Sequence, residues 1–181
     1  MTTEYVFKTQ LELILAALMP DNRRVLQVML RTGLRVSDAL SLRRDQIRRQ
    51  FWVTEMKTGK RKQCGLPDWL IADILKNSEG STWAFPSPKD PAKHRTRQAV
   101  WKDVKNASRA FRIPVNVGTH TARKVYAVDL MKKYGSLDIV KKALNHDNPM
   151  ITVIYAMADE LTRTAPQRRS VQNRTRRRRG G

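Results

Sequence analysis

Apolar residues recur at helical spacing over most of the chain, interrupted once by an alternating stretch. Residues 7–19 (FKTQLELILAALM) predict an amphipathic helix that Pro20 stops, with Asp21 placed to cap the next. Residues 21–31 continue as a helix carrying Val25, Leu26, Val28, Met29 and Leu30 until Gly33 breaks it. Ser37 offers an N-cap for a short helix through Leu42. The character changes at residues 50–56 (QFWVTEM) and 61–66 (RKQCGL). These read as two strands around the turn Lys57-Thr58-Gly59-Lys60, a β-hairpin. Pro67 and Asp68 open another helix that ends near Gly80. Residues 82–85 (TWAF) are compatible with a third short strand, and the prolines and charges of residues 87–95 mark a loop.

The remainder reads as helical. Residues 96–111 place Val100, Trp101, Val104, Ala107 and Phe111 on one expected apolar face. A helix over 119–134 closes at Gly135, Ser136 caps one through Leu144, and 149–157 make a further short one. The fold class expected is mainly α with a small antiparallel β-sheet (α+β). Residues 1–162 form one domain, and residues 163–181 form a basic, disordered tail holding eight arginines.

Charge changes the picture. The formal net charge is +20 over 181 residues, and a surface this cationic needs an anionic partner. Nucleic acid is the usual one, bound with a steep salt dependence because each neutralised phosphate releases counterions. The tail alone does not explain the excess, since Arg43, Arg44, Lys60, Arg61, His94, Arg95 and Arg97 crowd the body; these seven are candidate DNA contacts. A single cysteine, Cys64, excludes an intrachain disulfide. No apolar run approaches a bilayer span, no leader pattern opens the chain, and the three histidines lack the neighbours of a zinc site, so no membrane role and no metal or other cofactor is expected.

Breaking a phosphodiester without a metal requires a nucleophile, cations on the non-bridging oxygens and an acid for the leaving oxygen. Arginine suits the oxygens through its planar fork, lysine or histidine the proton transfers, and tyrosine a reversible attack. The chain carries such parts at scattered positions: Arg35 after the Thr32-Gly33-Leu34 break, Lys57 at the hairpin turn, His120 and Arg123 three apart on one helix, His146 after a helix end, and Tyr155 nine residues on.

Together these segments resemble the tyrosine recombinase, or phage integrase, family. Arg31-Thr32-Gly33-Leu34-Arg35-Val36-Ser37-Asp38-Ala39-Leu40 is similar to that family's first arginine box. Met56-Lys57-Thr58-Gly59-Lys60 resembles its lysine-bearing hairpin, and His120-Thr121-Ala122-Arg123 its His-x-x-Arg box. Ala143-Leu144-Asn145-His146 resembles its Leu-Gly-His box, and Thr152-Val153-Ile154-Tyr155 its nucleophile box. The order and the interval from His146 to Tyr155 are the family's own. Asp38 stands where glutamate is commoner and is expected still to orient Arg35; Asn145 replaces a glycine but tolerates left-handed backbone.

The resemblance implies that Arg35 and Arg123 clamp the scissile phosphate, Lys57 protonates the 5′ oxygen, His120 assists proton transfer at the tyrosine, His146 hydrogen-bonds the phosphate, and Tyr155 attacks to leave a 3′-phosphotyrosyl bond. Lys60 competes with Lys57 for the acid's role. Taken singly, each residue has a plainer reading: Arg35 a surface charge, His120 a cap, His94 a backbone contact in a basic loop, Tyr155 a core aromatic, as Tyr126 is expected to be. The family's amino-terminal core-binding domain has no counterpart before residue 7, so either a cut-down chain or a short, single-domain member of the family is expected. The expected protein is a site-specific DNA recombinase of phage-integrase type in a bacterial cytoplasm. Its partners would be double-stranded DNA and further copies of itself, associating weakly when free and as a tetramer on paired sites. A type IB topoisomerase-like relaxing enzyme and a non-catalytic basic DNA-binding protein are the alternatives.

Overall fold

The computed structural model describes residues 3–145. Its elements in order are α1 (Lys8–Ala17), α2 (Pro20–Thr32), α3 (Val36–Leu40), a 3-10 turn (Arg44–Gln46), β1 (Gln50–Thr54), β2 (Arg61–Gly65), α4 (Asp68–Asn77), α5 (Arg97–Ala110), α6 (Thr119–Tyr134) and α7 (Leu137–Leu144). This is the expected α+β composition, with one two-stranded antiparallel sheet. The expected helix at 149–157, the tail at 163–181 and the domain boundary at 162 lie outside the described residues.

Helix α2 is the central element, packed against α1, α3, α4, α5, α6 and β2. Its apolar positions Val25, Val28 and Met29 are sealed from solvent, in one core with Ile14, Leu34, Leu70, Ile74, Val100 and Val104. A second, smaller cluster joins Ala127 on α6 to Val140 and Leu144 on α7. Pro20 sits at the first turn of α2, where its missing N–H costs nothing. Asp21 does not cap that helix; it pairs with Arg24 and Arg95. Asp103 on α5 instead accepts from the Met19 N–H at 2.9 Å and from Asn22 Nδ2 at 2.7 Å.

The hairpin pairs Phe51 with Cys64 and Val53 with Lys62 on its buried face. Residues 82–85 do not add a third strand. They meet residues 42–44 through two backbone hydrogen bonds, Arg44 N–H to Thr82 O and Ala84 N–H to Leu42 O, because the 3-10 turn curls the partner segment away. On α5 the buried stripe is Val100, Val104, Ala107 and Ser108. Trp101 and Phe111, expected on that stripe, are 49% and 41% exposed: Trp101 lies one residue past Val100, and Phe111 is the C-cap beyond the helix end. The short helix α3 starts two residues earlier than expected, with Arg35 rather than Ser37 at its N-cap position.

Local signals hold at the other end. Ser136 Oγ accepts from the Ile139 N–H, and Asn145 ends α7 in the left-handed conformation (φ 50°) that asparagine tolerates. Gly33 ends α2 at φ 65°, and a Cβ there would lie 2.3 Å from the ring of Tyr126. Gly33→Ala is therefore expected to destabilise the fold by about 2–4 kcal/mol, combining left-handed backbone strain with overpacking. Urea unfolding checks this, and an unchanged midpoint would contradict it.

Candidate active site

The site is assembled where the end of α2, the start of α3, the hairpin turn and the first turns of α6 meet. Arg35 enters from the extended residue that starts α3 (φ −70°, ψ 156°). Its Nη1 donates to Glu55 Oε2 at 2.8 Å. Arg123 comes from the second turn of α6 and is 1% exposed. Its Nη1 donates to Gly33 O and its Nη2 to Leu144 O, each at 2.6 Å. The same Nη1 lies 3.5 Å from Glu55 Oε1, an ion pair outside good hydrogen-bond geometry. Its Nε is buried with no hydrogen-bond partner among the described residues. One carboxylate thus stands between two guanidinium groups, and one guanidinium ties the end of α2 to the end of α7.

Asp38 is fully buried but only 4.0 Å from the Arg35 guanidinium. Its Oδ1 accepts from the Met56 N–H at 2.9 Å, so its main bond is to the hairpin turn and Glu55 is the closer partner of Arg35. Burial alone would raise the Glu55 carboxyl; hydrogen bonds from Arg35 and Thr58 and the charges of both arginines outweigh it and hold the pKa below the usual range. Burial and then the neighbouring Arg35 charge lower the Arg123 pKa.

His120 shares the first turns of α6 with Arg123 and keeps an exposed edge. Burial of the rest of its ring, and then the charges of Arg123, Arg35, Arg97 and Lys124, hold its pKa below 6.5, which favours a neutral imidazole able to accept a proton. Lys57 stands exposed at the tip of the hairpin, one residue before Thr58, whose hydroxyl donates to Glu55 at 3.0 Å. Lys60 is also exposed, on the far side of the turn. The structure therefore brings Arg35, His120 and Arg123 together and sets Lys57 on a turn tied to Arg35 through Glu55. His146 and Tyr155 lie outside the described residues.

Of the candidate DNA contacts, Arg43, Lys60, Arg61 and Arg97 are exposed and Arg44 is half-buried. Arg61 stacks over the exposed ring of Trp52, 5.0 Å from its centroid. His94 is half-buried; its Nδ1 donates to Arg95 O at 2.8 Å and its ring meets Trp83 edge-on. Arg95 departs from expectation: it is 8% exposed and its guanidinium is paired with Asp21, a structural tie between the loop and α2.

Two residues of the site escaped the sequence reading. Glu55 had no local signal, because both its cationic partners come from distant stretches. Lys62 had one: strand alternation turns it inward beside Val53. The residue is 6% exposed, and its buried ammonium lies 5.2 Å from the Tyr126 ring centroid with no hydrogen-bond partner among the described residues. Burial, above all, pushes its pKa down to about 8.

The chain belongs to the phage integrase family, whose family model matches residues 4–161. It is 27% identical over 155 residues to the integrase of Escherichia phage P2, covering 85% of this chain and 43% of that protein. It is 28% identical over 145 residues to the tyrosine recombinase XerD of Lacticaseibacillus casei, covering 74% of this chain and 49% of that one. Among solved structures, XerH site-specific recombinase bound to palindromic difH substrate, a post-cleavage complex, superposes with a TM-score of 0.68 at 21% identity, covering 88% of this chain and 51% of that one. The chain thus spans about half the length of these relatives. Among the described residues no helix is long and apolar enough to cross a membrane.

Proposed function

We propose that this chain carries the strand-cleaving and rejoining chemistry of a site-specific DNA recombinase of phage-integrase type. The observation that carries the reading is the meeting of Arg35 and Arg123, from opposite parts of the chain, on the single carboxylate of Glu55. Two fixed guanidinium groups suit a phosphodiester whose non-bridging oxygens gain charge in the transition state.

In this reading the Tyr155 oxygen attacks phosphorus as its proton passes towards His120. The P–O bond to Tyr155 forms, the P–O5′ bond breaks, and Lys57 protonates the departing 5′ oxygen. A 5′ hydroxyl from a partner strand reverses the steps. The phosphotyrosyl bond retains the energy of the broken one, so no nucleotide is consumed. His146 hydrogen-bonds the phosphate, and Arg35 and Arg123 stabilise it throughout. The exposed Arg43, Lys60, Arg61 and Arg97 and the net charge of +20 support double-stranded DNA as the partner. A tetramer on paired sites, weakly associated when free, and action on DNA in a bacterial cytoplasm belong to the same proposal.

The test is a pool of nicked duplexes of randomised sequence, incubated with the whole chain and EDTA. The nick lets a short 5′-hydroxyl fragment diffuse away and traps the covalent state. Wild-type protein is expected to yield adducts that survive SDS and share one sequence. No adduct above the background of heat-denatured protein would overturn the reading.

A further inference from the structure

Resting on that reading, we propose that Glu55 is a positioning residue that joins the two arginines and the Lys57-bearing turn into one rigid unit. Three of the four polar groups of Glu55 make hydrogen bonds at this junction, and the fourth, Oε1, is held there by an ion pair alone. Its backbone N–H donates to Lys60 O at 3.0 Å, and its carbonyl accepts from Gly59 N–H at 2.8 Å, which closes the turn. Its Oε2 accepts from both Arg35 Nη1 and Thr58 Oγ1, and its Oε1 faces Arg123. The side chain is completely buried, so water cannot substitute for any of these bonds.

The local charge balance requires such a residue. Arg35, Arg123 and Lys62 place three cations in one buried region against two carboxylates, Glu55 and Asp38. Neighbouring guanidinium groups repel each other unless an anion lies between them. Asp38 already bonds the Met56 N–H and stands 4.0 Å from Arg35. Glu55 is thus the carboxylate that fixes the spacing of the clamp. Through Thr58 it also fixes where Lys57, the next residue back, sits relative to the phosphate. A shift of about 1 Å in such a group is enough to cost about 100-fold in rate.

The chemistry of the leaving group separates positioning from bulk structure. When sulfur replaces the bridging 5′ oxygen, the thiolate departs without a proton, and misplacement of the acid no longer matters. The probe is a duplex recovered from the randomised pool by wild-type protein, made with oxygen or sulfur at that position, under single-turnover conditions with protein in excess. Thr58→Val, at a half-buried turn position, is expected to slow cleavage of the oxygen duplex by about 10-fold and of the sulfur duplex by less than about 2-fold. Glu55→Gln loosens the clamp as well, so about 100-fold is expected on oxygen and about 10-fold on sulfur.

Equal slowing on both linkages, in either variant, would overturn the proposal, because a general loss of structure does not distinguish oxygen from sulfur. So would rates within 2-fold of wild type on both. If Glu55→Gln does not fold, by its urea transition, Thr58→Val decides alone. A wild-type protein that forms no adduct with the pool removes the functional reading itself, and the inference with it. Normal wild-type adducts with unaffected variants remove only the role of Glu55.

Discussion

Replacing Arg123 with lysine is expected to slow single-turnover DNA cleavage by about 100- to 1,000-fold, the usual loss when one preorganised donor to a developing oxyanion is removed. Two fixed hydrogen bonds and an ion pair make the loss large. The Arg123 guanidinium holds Gly33 O and Leu144 O at 2.6 Å and faces Glu55 at 3.5 Å. An ammonium cannot span those three acceptors and present a planar fork at once. The damage extends beyond the phosphate, because Leu144 ends α7 and the chain runs on from there to His146 and Tyr155. Breaking this buried pair also leaves Glu55 partly uncompensated, and the fold is expected to lose about 3 kcal/mol. Rates from a quenched time course and stability from urea unfolding check the two parts. Cleavage within 3-fold of wild type would place Arg123 outside the chemistry.

Lys62→Met is expected to act in the opposite direction on stability. The wild-type ammonium is buried without a hydrogen-bond partner among the described residues, and the Tyr126 ring and the Glu55 charge offer partial compensation. The titratable groups facing it are Glu55 after β1, Arg35 at α3, Arg123 on α6 and Cys64 on its own strand; burial, reinforced by the two arginines and opposed by Cys64 and Glu55, lowers its pKa to about 8 from 10.5. The unfolded chain therefore binds more protons than the folded one between those two pH values. Wild-type stability should climb across this window, and the cost of the charge is fully present below about pH 8. Methionine, of similar length and apolar, is expected to stabilise the protein by about 1–3 kcal/mol at pH 7. The gain should shrink towards pH 10.5, where the wild-type amine has lost its proton in both states. Urea unfolding of both proteins at pH 7 and pH 10 measures it. A variant less stable than wild type at pH 7, or a gain independent of pH, would contradict the account.

The residues that were legible in sequence and those that were not differ in how far their partners lie along the chain. Gly33, Ser136 and Asn145 act on backbone within a few residues, so their chemistry predicts their conformation. The hairpin was legible for the same reason, from its turn and its alternating strands. The resemblance boxes placed Arg35 and Arg123, and the fold brings the two together. Glu55 was not legible, because a buried carboxylate looks like any turn-flanking glutamate until two distant arginines close on it. Arg95 reads as one more loop cation until Asp21 meets it. Trp101 and Phe111 depart for geometric reasons: Trp101 lies one residue past Val100 on α5, and Phe111 is the C-cap beyond the helix end, whereas the smaller Val100, Val104 and Ala107 define the buried face of α5. Lys62 carried a readable signal, its parity with Cys64, that charge alone obscured.

The central claim is that a tyrosine oxygen at position 155 becomes bonded to DNA phosphorus. Mass spectrometry of the SDS-stable adduct, after digestion with nuclease and trypsin, reads this directly. A nucleotide mass on the peptide containing Tyr155, absent from the Tyr155→Phe protein, is the predicted result. A nucleotide on Tyr126, Tyr134 or any other residue, or an adduct undiminished in Tyr155→Phe, would contradict it.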